Sequence, residues 1–465
     1  MTPQNRRGGR SRPPGARVDP ARLVAYTLLR AVAEDGAYAN LHLPALLRER
    51  GIDGRDAAFA TELSFGTLRL QGRYDAVIGL CSQRPADDID DRVRDILRLG
   101  AHQILALDVP DYAAVSSSVA LTRRVGRSGA AGFVNAVLRR IAADPLQQWL
   151  ERIPPPADED AEGHLIAVQS HPRWIAVALA DALAAAGRRE ELADLLAADN
   201  RPGQVCMVAR PGRITAGELL RITGGSPGRW SPWAVRASGD PRAWPPIRDG
   251  RAGVQDEGSQ LIVLALSRAA VDCDDDRWLD MCAGPGGKAA DLAGLAATAG
   301  AQLTAVEQHP HRARLVDKTL AGGPAATVLT GDARDADLGR EGFSRILVDA
   351  PCTGLGAIRR RPELRWRRTP ADLPGLRVLQ SDLLRRAADE LRVGGVVAYA
   401  TCSPHLAETE EIVARQLRDD PRLRQIDATA LLPEVPDTGP GPALRLWPHL
   451  HDTDGMYLAV LQRVS

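Results

Sequence analysis

Apolar residues in the first third of the chain follow the spacing of an α-helix. Between residues 19 and 146 they recur every three or four positions, for example at Val24, Leu28 and Val32. This spacing gathers apolar side chains on one face of each helix, where neighbouring helices can bury them. The pattern predicts an all-helical domain over residues 19–146.

From residue 251 onward the pattern changes to short apolar runs that alternate with helical stretches. The runs typical of strands are RWLDM, AQLTAVE, ATVLT, SRILVD, GGVVAYAT and MYLAVLQRV. Helical spacing lies between them, most clearly in LPGLRVLQSDLLRRAADEL. Alternating strands and helices are typical of a parallel sheet covered by helices. Residues 251–465 are therefore predicted to form a Rossmann-like α/β domain.

Two segments separate these regions. Residues 147–164 combine three consecutive prolines with an acidic run, and this composition predicts a linker. Residues 165–250 mix the helical stretch RWIAVALADALAAAG with the extended run QVCMVAR, which predicts a small α+β connector. A chain of 465 residues is long enough for several compact units, so the predicted fold is multi-domain.

Positive and negative charges cancel along the chain, since 59 Lys and Arg side chains are matched by 59 Asp and Glu side chains. Attraction to a polyanion must therefore come from local clusters. Residues 1–18 form one such cluster, with five arginines, several Gly and Pro and no acid. A segment of this composition cannot form a core, and we expect a disordered basic tail. It is either solvated without a partner or a weak tether for a polyanion.

The six cysteines lie far apart, without a Cys-x-x-Cys pair or a Cys/His group of zinc spacing. We therefore expect no metal site. No apolar run reaches the roughly 20 residues that span a bilayer, and the N-terminus lacks the apolar segment of a signal peptide. These features predict a cytoplasmic protein with free thiols and no membrane partner.

The stretch DMCAGPGGK, residues 280–288, follows the first predicted strand. It fails the phosphate-binding pattern G-x-x-x-x-G-K-[ST], because Cys282 replaces the first glycine and Ala289 follows Lys288. It also fails the dinucleotide pattern G-x-G-x-x-G, because the last spaced glycine is missing. What remains is a tight turn from strand to helix in which a ligand touches the backbone closely.

Acidic residues follow at the ends of the next two predicted strands. Glu307 could accept hydrogen bonds from both hydroxyls of a ribose, and Asp332 could accept one from an adenine amine. A glycine turn, a ribose acid and an adenine acid, in this order along consecutive strands, describe an adenosine-bearing cofactor without pyrophosphate. This is the arrangement expected for S-adenosyl-L-methionine.

Two cysteines stand just beyond the fourth and fifth of these strands, Cys352 in DAPCTGLG and Cys402 in ATCSP. A thiolate that adds to carbon 6 of a cytosine activates carbon 5 as a nucleophile toward a methyl donor. Asp349, three residues before Cys352, could hydrogen-bond the ring nitrogen and the amine of the base. The spacing leaves open which cysteine attacks, because DNA cytosine-5 methyltransferases use a Pro-Cys thiol.

DMCAGPGGK, VDAPCTGLG and YATCS resemble the signature stretches of the Sun/RsmB family of ribosomal RNA cytosine-5 methyltransferases. VQDEGSQ, IRRRPELRW and DGMYLAVL match further stretches of that family, and ELSFGTLR and FVNAVLRRI resemble its NusB-like RNA-binding domain. The resemblance covers nearly the whole chain after residue 18. It implies methylation of carbon 5 of a cytosine in 16S rRNA, through a covalent cysteine adduct at carbon 6.

The same resemblance assigns roles to particular residues. Cys402 is implied as the nucleophile and Cys352 as the residue that helps to release the product, while Asp349 belongs to both the catalytic and the cofactor-binding sets. The implied cofactor contacts are Cys282, Ala283, Gly284, Pro285, Gly286, Gly287, Lys288, Glu307, Asp332 and Asp349. The departures from the family pattern are Gly284 where alanine is common, Glu307 where aspartate is usual and Thr353 where serine often follows the cysteine. None of them removes a required functional group.

Two arginine clusters offer surfaces for RNA, the expected partner. The segment 358–368, IRRRPELRWRR, carries six arginines and one acid, and Arg359, Arg360 and Arg361 within it are expected to contact RNA. The second cluster, in the helical domain, is Arg123, Arg124, Arg127, Arg139 and Arg140. We expect no DNA partner and a monomeric protein.

Two alternatives remain open. The enzyme could act on tRNA or another RNA, because the motifs describe the reaction better than the substrate. The chain could also be a non-catalytic rRNA-binding assembly factor with a retired methyltransferase fold. The complete set of motifs disfavours the second alternative, since an inactive site has no reason to keep both thiols and Asp349.

Overall fold

The computed structural model describes residues 19–339 and 342–465, and these form two compact units. One unit ends at Ser170, and the other runs from His171 to Ser465. The basic tail predicted for residues 1–18 lies outside the described residues. Every helix within the described ranges is too short or too polar to cross a bilayer.

The first unit is helical, as predicted. Its helices are α1 (Pro20–Glu34), α2 (Ala39–Glu49), α3 (Gly54–Arg69), α4 (Gln71–Ser82), α5 (Asp91–Leu105), α6 (Asp111–Arg124), α7 (Ala131–Ile141), α8 (Leu146–Arg152) and α9 (Ala161–Val168). Asp19 and Asp90 cap α1 and α5 by accepting hydrogen bonds from backbone N–H groups of the first turn. The apolar faces meet in one core, in which Leu28, Ile96 and Val134 are fully buried.

The predicted linker, residues 147–164, differs from the structure because it is folded. It contains most of α8 and the start of α9, and Trp149 is only 4% exposed. The indole Nε1 of Trp149 donates to the carbonyl oxygens of Ile141 (3.1 Å) and Asp144 (3.2 Å). Burial of this large ring ties the segment to the helical core, which outweighs the linker-like composition around it.

The second unit begins with a small α+β part, in line with the mixed pattern of residues 165–250. Its elements are α10 (Arg173–Ala185), α11 (Leu192–Asp199), β1 (Cys206–Ala209), α12 (Ala216–Thr223), β2 (Ser226–Pro227), β3 (Ala234–Arg236), α13 (Pro245–Arg248) and β4 (Ala252–Val254). The strands form an antiparallel sheet in the order β2-β3-β1-β4. Met207, Leu219 and Val235 are buried in its core.

The rest of the unit is built on a large mixed sheet. Its elements are α14 (Glu257–Arg268), β5 (Arg277–Asp280), α15 (Gly287–Ala299), β6 (Gln302–Glu307), α16 (Pro310–Leu320), β7 (Ala326–Thr330), β8 (Phe343–Asp349), α17 (Glu363–Arg367), α18 (Leu373–Glu390), β9 (Leu391–Thr401), α19 (Glu410–Asp419), β10 (Leu423–Ile426), β11 (Leu444–Leu446), α20 (Pro448–His451) and β12 (Met456–Arg463). The strand order is β10-β12-β9-β8-β5-β6-β7, with β11 paired to β12. Strands β5 to β9 pair in parallel, and β12 is antiparallel to β9.

Apolar side chains alternate between the two faces of this sheet. On β9, Val396 and Ala398 belong to the core that includes α14 and α15, whereas Val397 and Tyr399 belong to the core that includes α18 and α19. A strand buried on both faces needs apolar residues at every position, which explains the continuous run GGVVAYAT. The predicted Rossmann-like α/β fold is therefore confirmed.

Replacing Trp149 by alanine should destabilise the helical unit by about 3–5 kcal/mol, the usual cost of removing a buried aromatic ring. Hydrogen exchange of the full chain would show loss of protection in peptides from α7 and α8, with the large sheet unaffected. Leu41→Ala is the control, because Leu41 is 70% exposed. Protection that is lost from α8 alone would mean that the segment is not part of the helical core.

Candidate active site

The carboxyl ends of the parallel strands bring the predicted site residues to one edge of the large sheet. β5 runs into the glycine turn, β6 ends at Glu307, β8 ends at Asp349 and β9 ends at Thr401. From β5 the chain builds outward through β6 and β7, and β8 then pairs with the other side of β5. The ends of β5 and β8 thus flank the switch point at which open α/β sheets bind ligands.

The glycine turn after β5 is held by backbone hydrogen bonds. Ala283 N donates to the carbonyl of Val306 (2.9 Å), and Gly286 N donates to the carbonyl of Ala283 (2.7 Å). Gly286 has φ = +110°, and a Cβ at this position would lie 2.8 Å from Thr319 Cβ. Both the positive φ and the close approach require glycine. The other residues of the turn are Cys282, Gly284, Pro285 and Gly287, and the last of these begins α15.

Asp280, the last residue of β5, is buried beneath the turn. Its Oδ1 accepts a hydrogen bond from Cys282 N (3.1 Å), whereas within the described part of the chain no donor reaches its Oδ2. Burial and the nearby Asp349 raise the pKa of Asp280 to about 7. Burial and the charges of Asp280 and Asp349 also raise the pKa of the Cys282 thiol well above its usual value, which keeps this thiol neutral.

Lys288, expected to contact the cofactor, is bound to Asp349 in this structure. Its Nζ donates to Asp349 Oδ2 at 2.8 Å, and the lysine side chain is 13% exposed. Burial disfavours the ammonium, but the attraction of Asp349 outweighs it, so the pKa of Lys288 lies above its usual value. Lys288 therefore orients the Asp349 carboxylate at the end of β8.

Glu307 is buried beside the glycine turn. Its Oε1 accepts a hydrogen bond from His309 N (2.8 Å), and Arg312, which donates to the Gly284 carbonyl (2.6 Å), lies 3.5 Å from its Oε2. A Cβ at Gly284 would lie 1.9 Å from Glu307 Oε2. Two of the three departures from the family pattern therefore touch each other: the longer acid occupies the space that an alanine methyl would need.

Asp332 lies after β7 and is engaged by a neighbouring arginine. Arg334 donates to both of its oxygens, through Nε to Oδ1 (3.0 Å) and through Nη2 to Oδ2 (2.6 Å). These hydrogen bonds hold the pKa of Asp332 below its usual value. Each carboxylate oxygen has two lone pairs, so the pair with Arg334 leaves Asp332 able to accept a further donor.

The residues at this edge fit S-adenosyl-L-methionine. The glycines of the turn let the backbone pack closely against Glu307 and Thr319, and the Glu307 carboxylate stands next to the turn at the end of the following strand. Buried Asp280 has one oxygen without a hydrogen-bond donor from the described residues. The acceptors suit hydroxyl, amine and ammonium groups, and the turn does not have the pattern of a pyrophosphate site.

Cys352 and Cys402 come together beyond β8 and β9, with their sulfur atoms 3.5 Å apart. The hydrogen bond from Cys352 and the positive charge of Arg361 lower the pKa of Cys402, although burial opposes this effect. The hydrogen bond to Cys402 and burial raise the pKa of Cys352 well above its usual value. Of the two thiols, Cys402 is therefore the one that loses its proton more readily.

The arginine segment 358–368 differs from its predicted role as an RNA surface. Arg359 is 4% exposed and donates through Nη2 to the carbonyl of Asp452 (2.9 Å). Arg360 pairs with buried Asp454 (Nε to Oδ1, 2.7 Å), and Arg365 Nη1 donates to Asn200 Oδ1 (2.8 Å). The expectation that Arg359 and Arg360 contact RNA is corrected, because acids distant in sequence already neutralise them. Reversing either charge would disturb the fold.

Sequence reasoning gave no role to two buried acids near the cysteines, Asp256 in VQDEGSQ and Asp454 in DGMYLAVL. Asp454 N donates to Asp256 Oδ2 (3.0 Å), and Arg360 Nε lies 3.7 Å from Asp256 Oδ1. Burial and the charge of Asp454 raise the pKa of Asp256 to about 6. The available signal was the position of Asp454, two residues before the apolar run MYLAVL, where a solvated side chain is not expected.

The fold and this site together define an S-adenosyl-L-methionine-dependent methyltransferase. The family described as 16S rRNA methyltransferase RsmB/F matches residues 269–462, and the NusB family matches residues 19–143. The Mycobacterium tuberculosis protein Rv1407 is 52% identical over 467 residues, with 100% of each chain covered. A ribosomal RNA small subunit methyltransferase B of Pseudomonas putida is 32% identical over 419 residues, covering 87% of this chain and 91% of that protein. The chain belongs to the Sun/RsmB family of rRNA methyltransferases.

The fold resembles that of a solved structure. The crystal structure of PH0851 has a TM-score of 0.78 and 20% sequence identity, and the match covers 97% of this chain and 100% of that one. At this level of identity the similarity concerns the fold alone.

Gly284→Ala should weaken binding of S-adenosyl-L-methionine about tenfold, because the new methyl displaces the Glu307 carboxylate from the cofactor. The loss of one hydrogen bond between the cofactor and this charged group costs about 1.5 kcal/mol or more. Calorimetric titration would measure the loss. The double variant Gly284→Ala/Glu307→Asp should bind more tightly than Gly284→Ala, since the shorter acid makes room for the methyl.

The control is Gly375→Ala in α18, where a Cβ meets no atom within 4 Å. Equal affinity for Gly284→Ala and Gly375→Ala would contradict the steric coupling, and so would a double variant weaker than Gly284→Ala alone.

Proposed function

We propose that this chain methylates carbon 5 of a cytosine in 16S rRNA. The family is one of rRNA methyltransferases, and relatives such as that of Pseudomonas putida are named for the small ribosomal subunit. The observation that carries the choice of base is the sulfur pair, 3.5 Å apart at the ends of two adjacent strands. A methyltransferase for oxygen or exocyclic nitrogen has no need of a second thiol in contact with the first.

S-adenosyl-L-methionine, when bound, supplies an electrophilic methyl group. The turn residues 282–288, together with Glu307, Asp332 and Asp349, would hold it at the carboxyl ends of β5 to β8. Asp349 is shared between the two ligands in this proposal. Lys288 keeps its carboxylate oriented through Oδ2, which leaves Oδ1 for the base or the cofactor.

The nucleophile in the proposal is Cys402. Its thiolate forms a bond from Sγ to carbon 6 of the cytosine, and the electrons of the 5,6 double bond make carbon 5 nucleophilic. Asp349 accepts a hydrogen bond from the base amine and so holds the ring in position for the attack. Carbon 5 then takes the methyl group from the sulfonium, which would leave as S-adenosyl-L-homocysteine. A base accepts the proton of carbon 5, the 5,6 double bond re-forms and expels the Cys402 thiolate, and Cys352 assists this release.

The pKa values support this division of roles. A free thiol is only a few per cent ionised at neutral pH, and the pKa of Cys402 lies below its ordinary value because Cys352 donates a hydrogen bond to it. Cys352, with a raised pKa, stays protonated and can act after the addition step. The thiol that has to attack is thus the one that ionises more readily.

RNA binding is proposed for the arginine surface of the helical unit, since part of the segment 358–368 is buried. Arg123, Arg124, Arg139 and Arg140 are exposed on α6 and α7. Arg127 contributes less, because it is half-buried and pairs with Asp90 at 3.2 Å. Extruding a cytosine costs a few kcal/mol of free energy. Phosphate contacts from such a cluster would offset part of this cost.

Cys402→Ala should abolish the covalent adduct with RNA that contains 5-fluorocytosine, and it should abolish methylation. Cys352→Ala should still form the adduct and should accumulate protein linked to unmodified RNA, because release is impaired. Denaturing gels with labelled RNA measure both outcomes. Cys273→Ala is the matched control, since Cys273 is a free cysteine outside the site. An adduct that survives Cys402→Ala and vanishes with Cys352→Ala would reverse the two roles.

Wild-type adduct formation should depend on pH in a definite direction. Because the pKa of Cys402 is lowered, the rate should reach its plateau at a lower pH than a free thiol, whose pKa is about 8.5, would allow.

Bisulfite mapping of rRNA and tRNA from cells with and without the gene identifies the substrate. A modification that disappears from tRNA and not from 16S rRNA would overturn the choice of substrate and leave the chemistry intact.

The triple variant Arg123→Glu/Arg124→Glu/Arg139→Glu should weaken RNA binding and leave cofactor affinity unchanged. The slope of log affinity against log salt concentration should fall by about 1 for each phosphate that the variant no longer neutralises. Filter binding over a range of salt concentrations measures both effects. The control with the same change in charge is Arg48→Glu/Arg50→Glu/Arg55→Glu, at exposed positions of the same unit. Equal effects of the two triple variants would indicate a general influence of charge and would exclude a specific surface.

A further inference from the structure

Glu408 lies between the two loops that carry the cysteines, in the short turn that precedes α19, and it is fully buried. Its backbone carbonyl accepts a hydrogen bond from the hydroxyl of Tyr399 on β9 (2.7 Å), which fixes the main chain at this point. Its carboxylate receives hydrogen bonds from three different side chains and one backbone N–H. Both oxygens of this buried carboxylate therefore have hydrogen-bond donors.

One carboxylate oxygen binds the residues that directly follow the cysteines. Thr353 follows Cys352, Ser403 follows Cys402, and both hydroxyls donate to Glu408 Oε2, the serine at 2.7 Å. The two hydroxyl oxygens are themselves 2.9 Å apart. A single atom thus joins the two loops one residue beyond each thiol.

The other oxygen fixes the Cys352 loop from within. Glu408 Oε1 accepts hydrogen bonds from Thr353 N (2.8 Å) and from Gln380 Nε2 (3.1 Å). The same Gln380 amide donates to the carbonyl of Pro351 (2.8 Å), the residue before Cys352. The loop is therefore held on both sides of its cysteine, and the Cys402 loop is held through Ser403.

We propose that Glu408 is a positioning residue that locks the two cysteine loops together, so that the thiol of Cys352 donates its hydrogen to Cys402. This role rests on the proposed function, because it matters for a reaction that uses both sulfurs. Glu408 touches neither sulfur by hydrogen bonding, and it acts through Thr353 and Ser403. Its negative charge also favours the protonated form of Cys352, after the larger effects of the hydrogen bond to Cys402 and of burial.

A purely structural need would not select this arrangement. A buried carboxylate costs free energy through desolvation, and apolar side chains of similar volume often replace buried ionic groups without loss of stability. Thr353 and Ser403, which follow the cysteines, supply three of the four hydrogen bonds to Glu408. The fourth donor, Gln380, also holds the carbonyl of Pro351. Geometry and charge can be tested separately, because glutamine keeps the length of the side chain and aspartate keeps the charge.

The test compares Glu408→Gln and Glu408→Asp with Glu411→Gln. Glu411 is a matched control in the first turn of α19, where its side chain is 52% exposed and pairs with Arg377. The first readout is the ratio of iodoacetamide labelling at Cys402 to that at Cys352, measured by peptide mass spectrometry across a range of pH. The second readout is the rate of adduct formation with 5-fluorocytosine RNA.

Wild type and Glu411→Gln should be labelled preferentially at Cys402. Glu408→Gln should bring the labelling ratio at least about tenfold closer to equality, which corresponds to one pKa unit in the difference between the two thiols. Glu408→Asp should keep the charge but fail to reach both hydroxyls, so adduct formation should slow more than in Glu411→Gln. If both variants match Glu411→Gln in labelling ratio and in adduct rate, Glu408 has no positioning role.

Should the Glu408 variants fail to fold, Ser403→Ala decides the question. It removes one donor to Glu408 Oε2 and leaves the charge in place, and the labelling ratio should fall. An unchanged ratio in folded Ser403→Ala overturns the proposal. Labelling needs neither RNA nor cofactor, so a changed ratio in a protein that methylates no cytosine would retain the positioning role and reject the proposed function.

Discussion

The parallel pairing of β8 with β9 is the constraint on which the site depends. Asp349 lies opposite Ala400 in this ladder, and Cys352 and Cys402 follow three and two residues later. The hydrogen bond from Gly356 N to the carbonyl of Cys402 (2.9 Å) continues the pairing beyond the strands. Because side chains alternate along a strand, a slip of one residue would turn one loop away from the other. The strand register in the core of the sheet therefore determines whether the two sulfur atoms lie in contact.

Burial of charge organises the rest of this edge. Lys288 and Asp349 form a paired charge, and Asp280 beneath them has its pKa raised to about 7 by burial and by Asp349. In such surroundings each ionised group needs a partner, because desolvation destabilises an isolated charge. Dipoles and charges that are already in place do not need to reorganise when charge develops on a substrate. The same paired and buried charges thus stabilise the site and stand ready to interact with a charge that develops on the substrate.

The fold and the gathering of the site were predictable from sequence, because both depend on local patterns. Apolar runs such as SRILVD defined the strands, and parallel strands bring their carboxyl ends to one edge, so the cysteines could be expected to meet. Partners far along the chain were not predictable. The charge of Arg359 gave no indication of Asp452, which lies 93 residues away, and the composition around Trp149 concealed its burial. Glu408 was overlooked because its partners come from three separate segments.

The contact between Gly284 and Glu307 constrains the order in which this pair could have changed during evolution. Starting from the alanine and aspartate that are common in the family, lengthening the acid first would bring it against the alanine methyl, 1.9 Å from its carboxylate oxygen. Losing the methyl first creates only a small gap, into which the longer acid can then extend. This chain is thus expected to tolerate glycine with aspartate at these positions better than alanine with glutamate.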